Sequence, residues 1–182
     1  MAEKRKNYRR YEDRRVAVML AVHEVLFDHP PGQERDKKIL ETICTDYLSD
    51  GAALVKRVQT GEGDFEVTAA FGNWIPNIGR SVSGSLGFET LGNLQKSAPG
   101  ALTFTRVKRP AVFGLKDWDS FWGQSLFDTT MSLLSVHLLS KGEPIGFIWI
   151  LQSNYSREWS SRDRALAEEI ASLLSRAIDK GA

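Results

Sequence analysis

The sequence has few of the residues that build metal centres, disulfides and redox sites. Its 182 residues include one cysteine, Cys44, and three histidines, His23, His29 and His137. A single cysteine cannot form an intrachain disulfide or a multi-cysteine zinc site, and the histidines lack the spacing of a metal motif. Cys44 lies in an apolar helical pattern, which favours a small core residue. A chain without disulfides fits a reducing, cytoplasmic environment.

Long apolar runs and a strong net charge are also missing. The run from Val16 to Val22 has seven residues, far fewer than the ~20 that a membrane-spanning helix needs. The 24 basic and 23 acidic residues nearly cancel, so no overall field favours nucleic acid or a membrane surface as a partner. Only residues 1–15 are distinctly basic, with seven basic residues against three acidic ones. We expect them to form a partly disordered leader, followed by a single domain over residues 16–182.

Hydrophobic periodicity predicts three helices. The first spans residues 8–28, is apolar nearly all round in its middle, and ends at consecutive prolines, which cannot continue a helix. The second has one apolar stripe over residues 39–48. The third spans residues 159–178 and begins with Ser160 and Asp163 at the spacing of a capping box. Because the first helix is apolar on every side, it needs more than one partner surface.

Apolar runs between turn signals predict six strands. Four of them form two hairpins, which lie before and after a glycine-rich stretch, residues 72–100, whose pattern fits turns and short helical pieces. Helices, antiparallel hairpins and a final helix in this order describe an α+β domain around an antiparallel sheet. The predicted strands are residues 52–58, 65–71, 101–107, 110–115, 131–139 and 144–152.

Two stretches of the chain resemble GAF domains. SLLSVHLLSKGEPIGFIWI, followed by WSSRDRALAEEIASLLSRAI, is similar to the paired final strands and last helix of that family, with Gly146 opening the second strand. ILETICTDYLSDGAALVKRV and VTAAFG resemble its second helix and first two strands. The resemblance covers residues 35–72 and 131–179, and His137 departs from it by standing where the family usually has proline. It implies a six-stranded antiparallel sheet with the terminal helices on one face and pocket-forming segments on the other.

The chemistries known in this family find little support in the residues. Reduction of free methionine sulfoxide requires several cysteines, and a covalent bilin requires a cysteine on the pocket side, whereas Cys44 lies on the second helix. The cyclic-nucleotide signature is absent, and the Arg10 to Arg14 spacing lacks the companion strand of a PilZ cyclic di-GMP site. His137 could ligate haem from its strand, or be a plain, partly buried residue. With no G-x-S-x-G elbow either, we expect no enzymatic activity and leave the cofactor open.

Seven aromatic residues in the middle of the chain are the candidate ligand-binding residues. Pockets for small molecules are mostly apolar with a few polar groups, and the resemblance implies that the pocket is built by this part of the chain. Within KDWDSFWG, residues 116–123, the two tryptophans are four residues apart, so on a helical turn they would share one face and form a lid or wall. Alternatively, the rings fill the sheet face themselves. The seven are Phe88, Phe104, Phe113, Trp118, Phe121, Trp122 and Phe127.

The resemblance leaves two interpretations of function open. In the first, a regulatory domain binds an unidentified small molecule and signals through its terminal helices to a partner chain. In the second, the pocket is filled and the domain serves as a dimerisation or interaction module. Both include a homodimer through the terminal helices, because the first helix has more apolar surface than a sheet can cover. Neither involves nucleic acid or a membrane.

Overall fold

A computed structural model describes residues 2–57, 65–73, 78–79, 100–105 and 129–180, with side chains from residue 10 to residue 178. Three helices and five strands lie within these ranges. The helices are α1 (Ala2–Asp28), α2 (Gln33–Tyr47) and α3 (Ser161–Lys180). The strands are β1 (Gly51–Arg57), β2 (Phe65–Gly72), β3 (Leu102–Thr105), β4 (Ser132–Ser140) and β5 (Glu143–Gln152).

The strands form one antiparallel sheet in the order β2-β1-β5-β4-β3. Both predicted hairpins are present, as β1 with β2 and β4 with β5. The sequence predicts six strands, and five are found in the described ranges; the remaining one, residues 110–115, lies outside them. The prediction of an α+β fold with an antiparallel sheet is therefore confirmed, while a six-stranded count is not.

Two helices begin earlier than their apolar patterns predict. The first predicted helix starts at residue 8, but α1 starts at Ala2, so the expected leader, residues 1–15, lies almost wholly within a continuous helix. Its Lys, Arg and Glu residues are good helix formers, which hydrophobic periodicity does not register. Similarly, α2 starts at Gln33, and its first turn carries Glu34 and Asp36, which favour the positive end of the helix dipole.

The helices cover one face of the sheet. Val18 and Val22 of α1 join the buried faces of α2 and α3 in a cluster with strand residues such as Leu54, Ile148 and Ile150. A second buried cluster lies on the opposite face and contains only strand residues. Because neighbouring residues of a strand point to opposite faces, each central strand supplies side chains to both clusters. Among the described helices, none is long and apolar enough to cross a membrane.

Gly146 lets β5 approach β1 closely. A Cβ atom at Gly146 would collide with the carbonyl oxygen of Val55 and lie 3.3 Å from both the Lys56 Cα and a methyl carbon of Leu138. Two of these three neighbours are backbone atoms of β1, which cannot move without breaking the β1–β5 pairing. A side chain at this position is therefore excluded by the sheet itself.

We expect Gly146→Ala to lower the free energy of unfolding by about 2 kcal/mol and Gly146→Val by more, because the added carbons force the strands apart. β propensity alone predicts the opposite sign, since glycine is a poor strand residue. Chemical denaturation measures the effect, with Glu143→Val at the exposed start of the same strand as the control. An unchanged stability in Gly146→Val would contradict the proposed contact.

Candidate functional site

The sheet face opposite the helices, here called the open face, is the candidate site. On β4 the odd-numbered residues from Leu133 to His137 belong to this face, and on β5 the odd-numbered residues from Phe147 to Leu151 do. In the described part of the chain, no helix residue joins its buried cluster. The cluster consists of Ala53, Val55, Phe65, Val67, Ala70, Phe104, Leu133, Phe147, Trp149 and Leu151.

Phe147 is the centre of an aromatic row on the open face. Its ring lies 5.1 Å from that of Phe65 in an edge-on arrangement and 4.6 Å from the imidazole of His137, tilted by 49°. Both distances are in the range at which such ring pairs attract one another. Trp149, the next open-face residue of β5, pairs with Ser135 of β4. This row provides an apolar, aromatic floor.

The structure describes one of the seven predicted ligand-binding residues. Phe104 lies on β3, opposite Leu133, and belongs to the open-face cluster. The other six, Phe88, Phe113, Trp118, Phe121, Trp122 and Phe127, lie outside the described residues.

Sequence pattern alone does not assign Phe147, Trp149 and Ser135 to the site. They lie on strands whose two faces are both buried, so hydrophobic alternation does not separate one face from the other. Pairing the predicted hairpin in register would have placed Phe147 beside His137 and Trp149 beside Ser135.

Ser135 and His137 bring polar atoms to the open face. Ser135 is fully buried, and its Oγ has no hydrogen-bond partner in the described structure. The Nε2 atom of His137 is also shielded from water and has no such partner there. Burial lowers the pKa of His137 to about 4, so its imidazole is neutral at pH 7. Buried polar atoms are normally paired, which makes these two exceptions candidates for ligand contacts.

Cys44 lies on the other side of the sheet. It belongs to the helix-side cluster, and its Sγ is 3.9 Å from the carbonyl oxygen of Phe71. Burial raises the pKa of the thiol to about 11, which leaves it protonated and unreactive at pH 7. The prediction that Cys44 is a core residue of the second helix is confirmed. Within the described ranges, no cluster of three or more His, Cys, Asp or Glu residues could hold a metal ion.

Asp163 at the start of α3 is the centre of a polar network. Its Oδ2 accepts hydrogen bonds from the backbone N–H of Ser160 at 3.0 Å and from the Ser160 hydroxyl at 2.8 Å, and its own N–H donates to the Ser160 Oγ. The predicted capping box is thereby confirmed. Guanidinium groups flank the same carboxylate, Arg14 at 3.5 Å and Arg157 at 3.8 Å.

The network extends from Asp163 to α2 and to the segment that follows β5. Arg14 forms a salt bridge with Asp46 at 2.7 Å, and the Tyr47 hydroxyl donates to the Asp163 carbonyl oxygen at 2.7 Å. The Arg157 guanidinium donates to the Tyr47 carbonyl oxygen and lies 4.3 Å from the centre of the Trp159 ring, a cation–π distance. These contacts connect the segment after β5 with α2 and both terminal helices.

A second set of contacts holds α1 directly against α3. Arg15 is 2.8 Å from Glu169, and the Tyr11 hydroxyl donates to the backbone carbonyl of Arg162 at 3.2 Å. Successive residues of α1 thus meet successive residues of α3 in the same order, so the two terminal helices run in the same direction here. A displacement of one helix must be matched by the other or break these contacts.

The stability of the protein should depend on pH through His137. Its folded-state pKa of about 4 lies below its usual 6.5, so between those values the unfolded chain binds more protons, and stability falls as pH decreases. We expect His137→Gln to reduce the loss of melting temperature between pH 7 and pH 4.5. Leu139→Gln, at an exposed position of the same strand, is the control and should keep the wild-type slope. If the melting temperatures of the wild type, His137→Gln and Leu139→Gln fell equally with pH, the pH dependence could not be assigned to His137.

The Asp163 carboxylate should stabilise the packing of α1. Asp163→Asn keeps the shape and the capping atoms but removes the charge that faces Arg14 and Arg157, so we expect a loss of about 1–3 kcal/mol. Amide hydrogen exchange should accelerate in α1 and in the first turn of α3. Glu24→Gln, at another exposed acidic position of α1, is the control and should stay within about 0.5 kcal/mol. Equal effects of the two substitutions would show that the network does not hold the helices.

No protein-family model and no curated protein matches the sequence. The architecture, in contrast, matches solved structures. The chain aligns over 92% of its length with 94% of the phycocyanobilin-bound GAF domain from a cyanobacterial phytochrome, at 12% identity and a TM-score of 0.76. It also aligns over 91% of its length with 93% of the GAF domain from a phosphoenolpyruvate-protein phosphotransferase of Coxiella burnetii, at 15% identity and a TM-score of 0.67.

A further similar structure is larger than this chain. It is the chromophore-binding domain of Stigmatella aurantiaca bacteriophytochrome, with 15% identity and a TM-score of 0.71. The alignment includes 91% of this chain but 60% of that one. At such low identity, structural likeness establishes the fold alone. The order of the strands, the helices on one face and these three similarities together show that the chain has the fold of a GAF domain.

Proposed function

We propose that this chain is a sensory domain, which binds a small molecule on the open face and passes the resulting change to a partner chain through α1 and α3. The observation that carries the proposal is the network around Asp163. It connects the segment that follows β5, the central strand of the site, to both terminal helices.

The path from site to helices is short. Phe147 and Trp149 lie on the open face of β5, and Arg157 follows five residues after the end of that strand. Arg157 contacts the Tyr47 carbonyl and the Asp163 carboxylate. A ligand that shifts β5 relative to α2 would therefore strain contacts on which the positions of α1 and α3 depend. The proposed signal is a change in how the two helices pack.

The ligand is held without a covalent bond to cysteine. One of the similar GAF domains carries phycocyanobilin. In this chain the single cysteine, Cys44, lies in the helix-side cluster, on the far side of the sheet from the open face. Binding consequently depends on apolar contact with the aromatic floor and on hydrogen bonds. This requirement favours a small, flat molecule.

The outward face of α1 supports a homodimer. Exposed residues recur along it at alternating steps of three and four, as in the seam of a coiled coil. Three of them are large and apolar: Val16, Leu20 and Phe27, exposed by 59%, 57% and 91%. The small residues Ala17 and Ala21 line an adjoining groove of about 510 Å³ between α1 and α2, which permits close approach of a second helix. The seam positions are Asp13, Val16, Leu20, His23 and Phe27.

The outward face of α3 is different. Its exposed residues are all polar or charged, so it offers little apolar area to a partner. We therefore place the interface on α1, and α3 follows through its contacts with α1. The sequence predicts a dimer through both terminal helices, and we now assign the direct contact between the two chains to α1 alone. The exposed residues of α3 are Ser161, Arg162, Arg164, Glu168, Ser172 and Arg176.

Leu20→Glu should convert a dimer into a monomer. A charge at the centre of the seam would be buried without a partner in the dimer, but it is in water in the monomer, so folding should be unaffected. Sedimentation velocity should show twice the 20.4 kDa chain mass for the wild type and a single chain mass for Leu20→Glu. Ser172→Glu, on the polar face of α3, is the matched control and should remain dimeric. A wild type that is monomeric at tens of micromolar would overturn the interface.

A second candidate function has an observation in its favour. Leu133, Trp149 and Leu151 on the open face are fully buried by the protein itself, as expected for a filled face that serves only dimerisation. Native mass spectrometry of freshly purified protein distinguishes the two functions. A retained small molecule supports the sensor, whereas a ligand-free dimer that gains no mass from cell extract supports the interaction module.

A further inference from the structure

Two unpartnered polar atoms lie near each other on the open face. They are the Oγ of Ser135 and the Nε2 of His137, both shielded from water and both without a hydrogen-bond partner among the described residues. The residues are two apart on β4 and point to the same face, so their Cα atoms are about 7 Å apart. Because an unpaired buried polar atom lowers stability, a pair of them on one face marks a place where a partner is expected.

The pair lies where the buried cluster meets partly exposed residues. β3 pairs with β4 only from Ser132 to Ser135, so His137 lies beyond the end of β3. His137 and Leu102 are partly exposed, whereas Leu133 and Trp149 are fully buried. We therefore expect a ligand to approach Ser135 from the His137 end.

The surroundings of the pair define what can bind there. Phe147 packs against the His137 ring, and Trp149 and Leu102 are the cross-strand neighbours of Ser135. The residues that surround the pair carry no formal charge, and its imidazole is neutral at pH 7, while the charged Arg57 of the same face lies over the Phe65 ring. An anion held between Ser135 and His137 would therefore lose its hydration without a cation beside it. A neutral group that both donates and accepts hydrogen bonds has no such cost.

We infer that Ser135 and His137 form a hydrogen-bonding subsite for a neutral, planar ligand whose polar edge carries one donor and one acceptor, as in an aromatic carboxamide. This inference rests on the proposed function, because it specifies the ligand class of the same face. The Ser135 hydroxyl can donate or accept, and a neutral imidazole nitrogen does one or the other according to its tautomer. The two residues can therefore bind the two atoms of an amide edge, while its ring lies on the aromatic floor.

Benzamide and benzoate test the inference, since they share a shape and differ in charge at pH 7.5. Each is titrated into the ¹⁵N-labelled wild-type chain, and the amides of β4 and the ring nitrogens of His137 are followed by NMR. We expect benzamide to shift both sets of signals with saturation, and benzoate to bind at least tenfold more weakly. Equal or tighter binding of benzoate, or no binding of benzamide, would overturn the inference.

Substitutions locate the binding. The double variant Ser135→Ala, His137→Phe keeps the packing but removes both polar groups, and it should lose at least tenfold in benzamide affinity. Thr103→Ala, on the opposite face of β3, is the matched control and should bind like the wild type. If the double variant does not fold, the ring-nitrogen shifts of wild-type His137 decide alone, because a ligand held elsewhere would leave them unchanged.

Failure of the subsite and failure of the sensory function give different results. A retained anionic compound in native mass spectrometry, with no response to benzamide, would refute the subsite and leave the sensor intact. Conversely, benzamide binding at His137 that leaves the distance between spin labels on the two α1 helices unchanged would support the subsite and refute signalling through the helices.

Discussion

The pairing of β5 with both β1 and β4 is the constraint on which the rest of the structure depends. β5 is the middle one of the five described strands and is buried on both faces, so it supplies Ile148 and Ile150 to the helix side and Phe147 and Trp149 to the open face. Its register with β1 requires the absence of a side chain at Gly146. If that register slipped by one residue, each side chain of β5 would change face and both clusters would be lost.

Asp50 fixes the other end of the same pairing. Its carboxylate accepts hydrogen bonds from the Gln152 side chain and from the backbone N–H groups of Ser153 and Asn154, just after β5. Its backbone N–H donates to the Leu151 carbonyl, and its carbonyl accepts from Asn73 after β2. Asp50 thus holds three segments together: the one that enters β1, the one that leaves β2 and the one that leaves β5. The segment that leads to Arg157 consequently starts from a fixed position.

The fold was largely predictable from the sequence, and the candidate site was not. The two hairpins, the capping box at Ser160 and the GAF fold depend on local patterns, and all three predictions are confirmed. The polar start of α1 has no apolar period, so its true beginning was not predicted. The site is set by which strands are neighbours. The sequence does not distinguish Ser135 and His137 from other strand residues. Only the pairing of β4 with β5 shows that Trp149 and Phe147 lie beside them.

The contact between Tyr11 and Arg162 has a mechanical consequence. The backbone of α1 continues as helix from Arg10 back to Ala2, nine residues beyond that contact, or about 13 Å at the usual rise. If α1 tilts about the ion pairs of Arg14 and Arg15, the helical turns that precede them move as one rigid segment. A small tilt of α1 about these ion pairs therefore displaces Ala2 sideways by more than it displaces the ion pairs themselves.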